Sequence, residues 1–160
     1  MTMLAGYGED ESWISHNEII ESYLRPKIEG KAVAIPGLVV ELGEELYTRE
    51  PWLLPQRAHP VLNPREWFYF GRKKPNDRIF EGVDHEGAWV VLSGRCDPIR
   101  SEETGEIVGA TMRFRYGFRN KGESTSLRWS NWFMREYRLF NHVRQTTSKQ
   151  VFCKITENLC

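Results

Sequence analysis

The sequence predicts an α+β domain in which an acidic, helix-forming front leads into a twisted antiparallel β-sheet packed between a few short helices. Three observations carry this. Ser15-His16-Asn17-Glu18 is a helix-start signature near the N terminus. Met112, Phe114, Tyr116 and Phe118 alternate with Arg113, Arg115 and Arg119, the two-residue period of a half-buried strand. The chain is 160 residues long, 40% apolar and 12% aromatic with six tryptophans, enough to build a core and too much for wholesale disorder.

The helical front comes first. Ser15 is suited to cap the N terminus, Glu18 stands at the third helical position to close a capping box, and Ile14 can staple onto Ile19. The helix is predicted to end near Leu24, because Pro26 restricts the residue before it. A second short helix is predicted over residues 41–47, between Gly37 and Pro51.

From residue 65 the period changes. Glu66-Trp67-Phe68-Tyr69-Phe70 predicts a buried strand, and Arg72 to Arg78 a basic loop. Trp89 to Leu92 predicts another strand. Asp97-Pro98 and Thr104-Gly105 mark turns, and Ile107-Val108 opens a further strand before the alternating segment at 112–119. There Arg113 and Arg115 project from one face about 6.6 Å apart, near the spacing of successive phosphates along one nucleic-acid strand. A loop follows at 121–126, then strands near 129–139 and 151–155.

The charge is polarised. Residues 1–64 carry 5 Lys/Arg against 10 Asp/Glu, and residues 65–160 carry 17 against 12. Between Thr111 and Lys154, 10 basic residues face only Glu123 and Glu136, so one side of the molecule is offered to a polyanion, or forms a solvated charged face.

Other chemistries find little support. Apolar runs are far short of the roughly 20 residues that span a bilayer, and the acidic N terminus has no leader-like pattern, so no membrane partner is expected. Cys96, Cys153 and Cys160 form no C-x-x-C pair, which favours reduced thiols in an intracellular compartment. His16, His59, His85 and His142 are scattered, without metal-ligand spacing to a cysteine. No phosphate-cradling glycine loop and no catalytic constellation stands out, so neither an enzyme, a small-molecule substrate nor a cofactor is expected.

The order of these segments resembles the NAC domain, the DNA-binding module of a large group of plant transcription factors. Glu45-Leu-Tyr-Thr-Arg-Glu-Pro-Trp-Leu-Leu-Pro55 is similar to the family's DLY-x-x-EPW-D-LP, and Arg65-Glu-Trp-Phe-Tyr-Phe70 to its EWYFF. Gly87-Ala-Trp89 and Pro98-Ile99 bracket its G-Y-W-K-A-T-G-K-D-R-P-I segment. Trp132-Phe-Met-Arg-Glu-Tyr-Arg-Leu139 resembles DWVMHEYRL, and Val151-Phe-Cys-Lys-Ile155 the closing VLCRI. The resemblance implies one domain over residues 14–156, after a flexible segment 1–13 and before a tail at 157–160.

It also implies a nuclear, double-stranded-DNA-binding regulator of transcription that pushes the strand at 89–97 into the major groove at a CGT[G/A] core. The DNA-contacting residues would be Arg72, Lys73, Lys74, Arg78, Val90, Arg95, Arg113, Arg115, Arg119 and Lys121. Two positions depart from the family. The lysine after its tryptophan is Val90, which offers only apolar contact to thymine methyls and leaves Arg95 as the nearest donor to guanine. The arginine that pairs across the family's homo- or heterodimer with the glutamate at Glu18 is Glu11, and two like charges there oppose association. The alternative is a protein-interaction module that keeps the fold, binds DNA weakly and binds or titrates other factors.

Overall fold

The computed structural model describes residues 14–73, 80–81, 87–92, 96–118, 128–141 and 146–159. Its centre is a twisted eight-stranded sheet.

The chain enters through a helical run made of α1 (His16–Glu18), a π-helical turn (Ile19–Leu24) and α2 (Arg25–Glu29). The Glu18 amide donates to Ser15 Oγ at 3.1 Å, so the cap forms as predicted, and Ile14 and Ile19 are buried in one core cluster. Pro26 does not end the helix. The run widens to π geometry just before it, with the Arg25 amide bonding Ile20 O, and Pro26 enters at the first turn of α2, where its missing N–H matters least. The Ser22 carbonyl, which Pro26 cannot serve, accepts from the Ala34 amide at 3.0 Å. Gly30 closes α2 at φ 74°.

The segment predicted as a helix over 41–47 divides in two. Val39–Gly43 is strand β1 and Glu45–Thr48 is helix α3, followed by a single 3-10 turn at Pro51–Leu53. The remaining strands are β2 (Glu66–Arg72), β3 (Phe80–Glu81), β4 (Gly87–Val91), β5 (Asp97–Arg100), β6 (Ile107–Phe118), β7 (Arg128–Asn141) and β8 (Thr146–Glu157). The pieces predicted at 107–108 and 112–119 are thus one continuous β6. Asp97-Pro98 lies in β5, not in a turn, because a strand that among the described residues pairs on one side, with β6, tolerates proline's missing donor.

Strand order is β1-β2-β8-β7-β6-β4-β3, with β5 on β6. All pairs are antiparallel except β1 with β2, which is parallel and makes the sheet mixed.

Each face of the sheet has its own core. On one, Tyr69, Trp89, Phe114, Tyr116, Met134 and Cys153 pack against Leu46 and Tyr47 of α3 and against Leu54. Gly71 is needed there, since a Cβ at that position would stand 2.2 Å from Leu46 Cδ2. On the other, Phe68, Phe70, Phe152 and Tyr137 meet Ile19, Ile20, Tyr23 and Leu24 of the helical run. Among the described residues, no helix is long and apolar enough to cross a membrane.

Candidate nucleic-acid interface

Register decides which of the predicted residues meet. Val90 of β4 lies directly opposite Arg115 of β6, and Arg115 opposite Phe133 of β7. Cross-strand partners share a face, and residues two apart on one strand do too. Val90, Arg113 and Arg115 therefore stand together, on the face that the helical run covers further along. All three are half-buried.

The same register adds two basic residues that the sequence did not single out. Arg113 lies opposite Arg135, and Arg135 opposite Lys154, so a row of three cationic side chains steps across β6, β7 and β8. Arg135 and Lys154 are only 8% and 4% exposed, which makes this row the inner edge of the basic surface. Lys154 Nζ lies 3.9 Å from the carboxylate of Glu66, itself buried. Burial raises the Glu66 carboxyl above its usual range against the opposing pull of Lys154. Position 135 follows the apolar Met134 and precedes a buried Glu, and no periodic signal separates it from surface arginines.

Arg72 and Lys73 do not join this group. Arg72 is exposed at the far end of β2, opposite Gln150, whereas Glu66 at the other end of β2 is level with the Arg115 row. At 3.3 Å per residue this puts it roughly 20 Å away along the strands, and three strands across. Lys73 Nζ turns toward Glu136 on the opposite face, 4.0 Å from Oε1. Lys74, Arg78, Arg95, Arg119, Lys121 and Glu11 lie outside the described residues, as do His85, His142, Cys160 and the loop predicted at 121–126.

Glu136 organises that opposite face. Its carboxylate, 1% exposed, accepts the Tyr47 hydroxyl and the Arg138 Nε–H, the latter at 2.6 Å. Tyr47 also lies 4.0 Å from Cys153 Sγ. Burial, with the Cys153 and Glu136 charges adding to it, pushes the Tyr47 phenol well above its ordinary value, and burial and Glu136 do the same to the Cys153 thiol. A neutral, wholly buried thiol is a packing group rather than a nucleophile. The basic stretch at 111–154 thus serves two purposes: Arg138 neutralises an internal carboxylate, while Arg113, Arg115, Arg128 and Lys149 reach the surface in whole or part.

Glu18 lines an open cavity of about 490 Å³ with Ser15, Asn17, Glu21, Ser101, Glu102 and Glu103. The Asn17 amide ties its two walls, donating to Arg100 O at 2.7 Å and accepting from the Glu102 amide at 3.0 Å. Four carboxylates around one cavity make it strongly acidic. Among the described residues, no group of three or more His, Cys, Asp or Glu is placed to hold a metal ion.

Fold and faces together define a sheet-centred α+β domain with a basic, aromatic-backed surface near one edge and an acidic cavity beside its helical front. The family model described as No apical meristem (NAM) protein matches residues 14–139. The chain is 34% identical over 142 residues to NAC domain-containing protein 35 of Arabidopsis thaliana, covering 84% of this chain and 31% of that protein. It is 32% identical over 125 residues to NAC domain-containing protein 67 of Oryza sativa subsp. japonica (76% and 41%), and 33% identical over 147 residues to NAC domain-containing protein 19 of Arabidopsis thaliana (86% and 42%). The chain belongs to the NAC domain family, a family of plant transcription regulators. It spans less than half the length of these curated relatives.

Proposed function

We propose that this domain is a nuclear, DNA-binding regulator of transcription that contacts phosphates with Arg113 and Arg115 and meets the major groove with the segment at 89–97. One observation carries the reading: the β4–β6 register stands Val90 against Arg115, so the strand that would enter the groove and the arginines that would flank it share a face. Lys74, Arg78, Arg95, Arg119 and Lys121 join the proposal from the sequence alone, and Arg72 and Lys73 contribute less than their charge suggests. Glu11, from the sequence alone, would stand where the family's arginine meets the glutamate at Glu18, and this like charge opposes the family's dimer contact with a second copy of this chain.

The test is an anisotropy titration of a CGT[G/A]-core duplex and a scrambled duplex at two salt concentrations. A preference of about tenfold, or 1.4 kcal/mol, that persists at the higher salt is the expected result. Arg113→Ala with Arg115→Ala should lower affinity for both duplexes and reduce the salt slope by about two units. Equal binding to both duplexes would refute base reading by the 89–97 segment. Binding to neither would favour the protein-interaction module, which the apolar Val90 and the exposed Trp52 and Leu53 also suit.

A further inference from the structure

Three basic residues of the sheet region that are buried wholly or in part, Lys73, Arg138 and Lys154, each face a carboxylate within 4.0 Å. Arg115 does not: among the described residues its charge meets one carbonyl and two aromatic rings. Its Nε–H donates to Ser130 O at 2.8 Å. Its guanidinium carbon lies 4.8 Å from the centre of the Phe133 ring and 5.5 Å from that of Trp129.

The backbone builds this arrangement. The β6–β7 ladder slips between Arg115 and Gly117, so that Gly117 pairs with Trp129 and extra β7 residues bulge between. Ser130 closes the gap with its own hydroxyl, which donates to Tyr116 O at 2.6 Å and accepts the Trp132 amide at 3.1 Å. That leaves the Ser130 carbonyl to receive Arg115 and brings Trp129, 44% exposed, beside the guanidinium at the surface.

We propose that Arg115, Trp129 and Phe133 form an aromatic clamp that presents a preorganised guanidinium to a phosphate of duplex DNA, with Trp129 and Phe133 as positioning residues. The inference rests on the DNA-binding reading above and deepens it. An arginine ordinarily gives up much rotamer freedom when it binds, and here the ring faces and the carbonyl have already fixed it. Among the described residues one of its five N–H donors is engaged, by the Ser130 carbonyl, which leaves the guanidinium edge for a two-pronged contact with a phosphate. Ring faces hold the cation without neutralising it, as a carboxylate would. The clamp requires a planar guanidinium, which a lysine cannot supply.

The experiment compares wild type with R115A, R115K, W129L and R115A/W129L, each first confirmed as folded by its melting transition. In anisotropy titrations on the CGT[G/A]-core duplex, R115A should bind about tenfold more weakly and lose about one unit of salt slope, the share of one phosphate contact. R115K should fall nearly as far. W129L should weaken binding several-fold when Arg115 is present and not at all in the R115A background. Equal loss from W129L in both backgrounds, or R115K binding like wild type, would overturn the clamp. A second readout separates the clamp from the DNA reading: the Arg115 Nε–H signal in NMR, titrated with inorganic pyrophosphate. A shift in wild type that W129L abolishes supports the clamp even if no duplex binds. No shift in wild type overturns it.

Discussion

Replacing Tyr47 by phenylalanine removes one oxygen from the fully covered Glu136 network and changes little else. The Tyr47 hydroxyl donates to the Glu136 carboxylate where α3 docks on the sheet, with both residues 2% exposed or less. A hydrogen bond to a charged partner contributes about 1.5–3 kcal/mol net. Glu136 would keep Arg138 Nε at 2.6 Å and Lys73 Nζ at 4.0 Å, so its charge stays compensated and the loss falls at the low end, about 1.5–2 kcal/mol. For a chain of this length that lowers the melting temperature by about 3–8 °C. Thermal and guanidinium unfolding, followed by far-ultraviolet circular dichroism, measure it directly. Combining Tyr47→Phe with Glu136→Gln should be strongly non-additive, because the two side chains share one interaction. An unchanged melting temperature, or strict additivity, would refute the idea that this bond fastens α3 to the sheet.

Gly109→Ala should destabilise the fold by about 1–3 kcal/mol in denaturant titrations, the usual range for overpacking. Its Cβ would lie 2.6 Å from the Arg138 carbonyl oxygen, a backbone atom that cannot turn aside, and 2.7 Å from Ile20 Cδ1. Stability should also fall as pH rises above about 4.5 through the raised titration of Glu66. In that window the unfolded chain has released the Glu66 proton and the folded chain still holds it, so raising the pH favours unfolding. Glu66→Gln should lose this part of the pH slope, and an identical slope in the variant would assign it elsewhere. Above pH 10 a further loss is expected, because Tyr47, Tyr69 and Tyr116 are held neutral first by burial while their unfolded counterparts ionise. Its measure is an alkaline unfolding curve, which should shift to higher pH in Tyr69→Phe.

The local grammar of the chain was legible in the order of its residues. Strict alternation placed β6, aromatic density placed β2, and Ser15 with Glu18 placed the start of the helical run, because each signal arises within a few consecutive residues. The segment motifs likewise carried the family. Signals that depend on a distant partner misled. Val39–Gly43 becomes a strand because β2 offers a parallel edge, with Val39 opposite Phe68, and nothing between residues 39 and 43 announces that edge. Pro26 should have ended the helix, but a π turn and the Ala34 amide absorb the unserved carbonyl.

The candidate site divides in the same way. Arg113 and Arg115 were legible from period alone. Tertiary structure decided that Arg72 stands at the other end of the sheet, that Lys73 and Arg138 attend a buried carboxylate, and that Trp129 and Phe133 bracket Arg115. The physical reason is that charge is additive along a chain but its use is not. Whether an arginine neutralises an interior carboxylate or faces a ligand depends on strand register, and a shift of one residue would send each of these side chains to the opposite face.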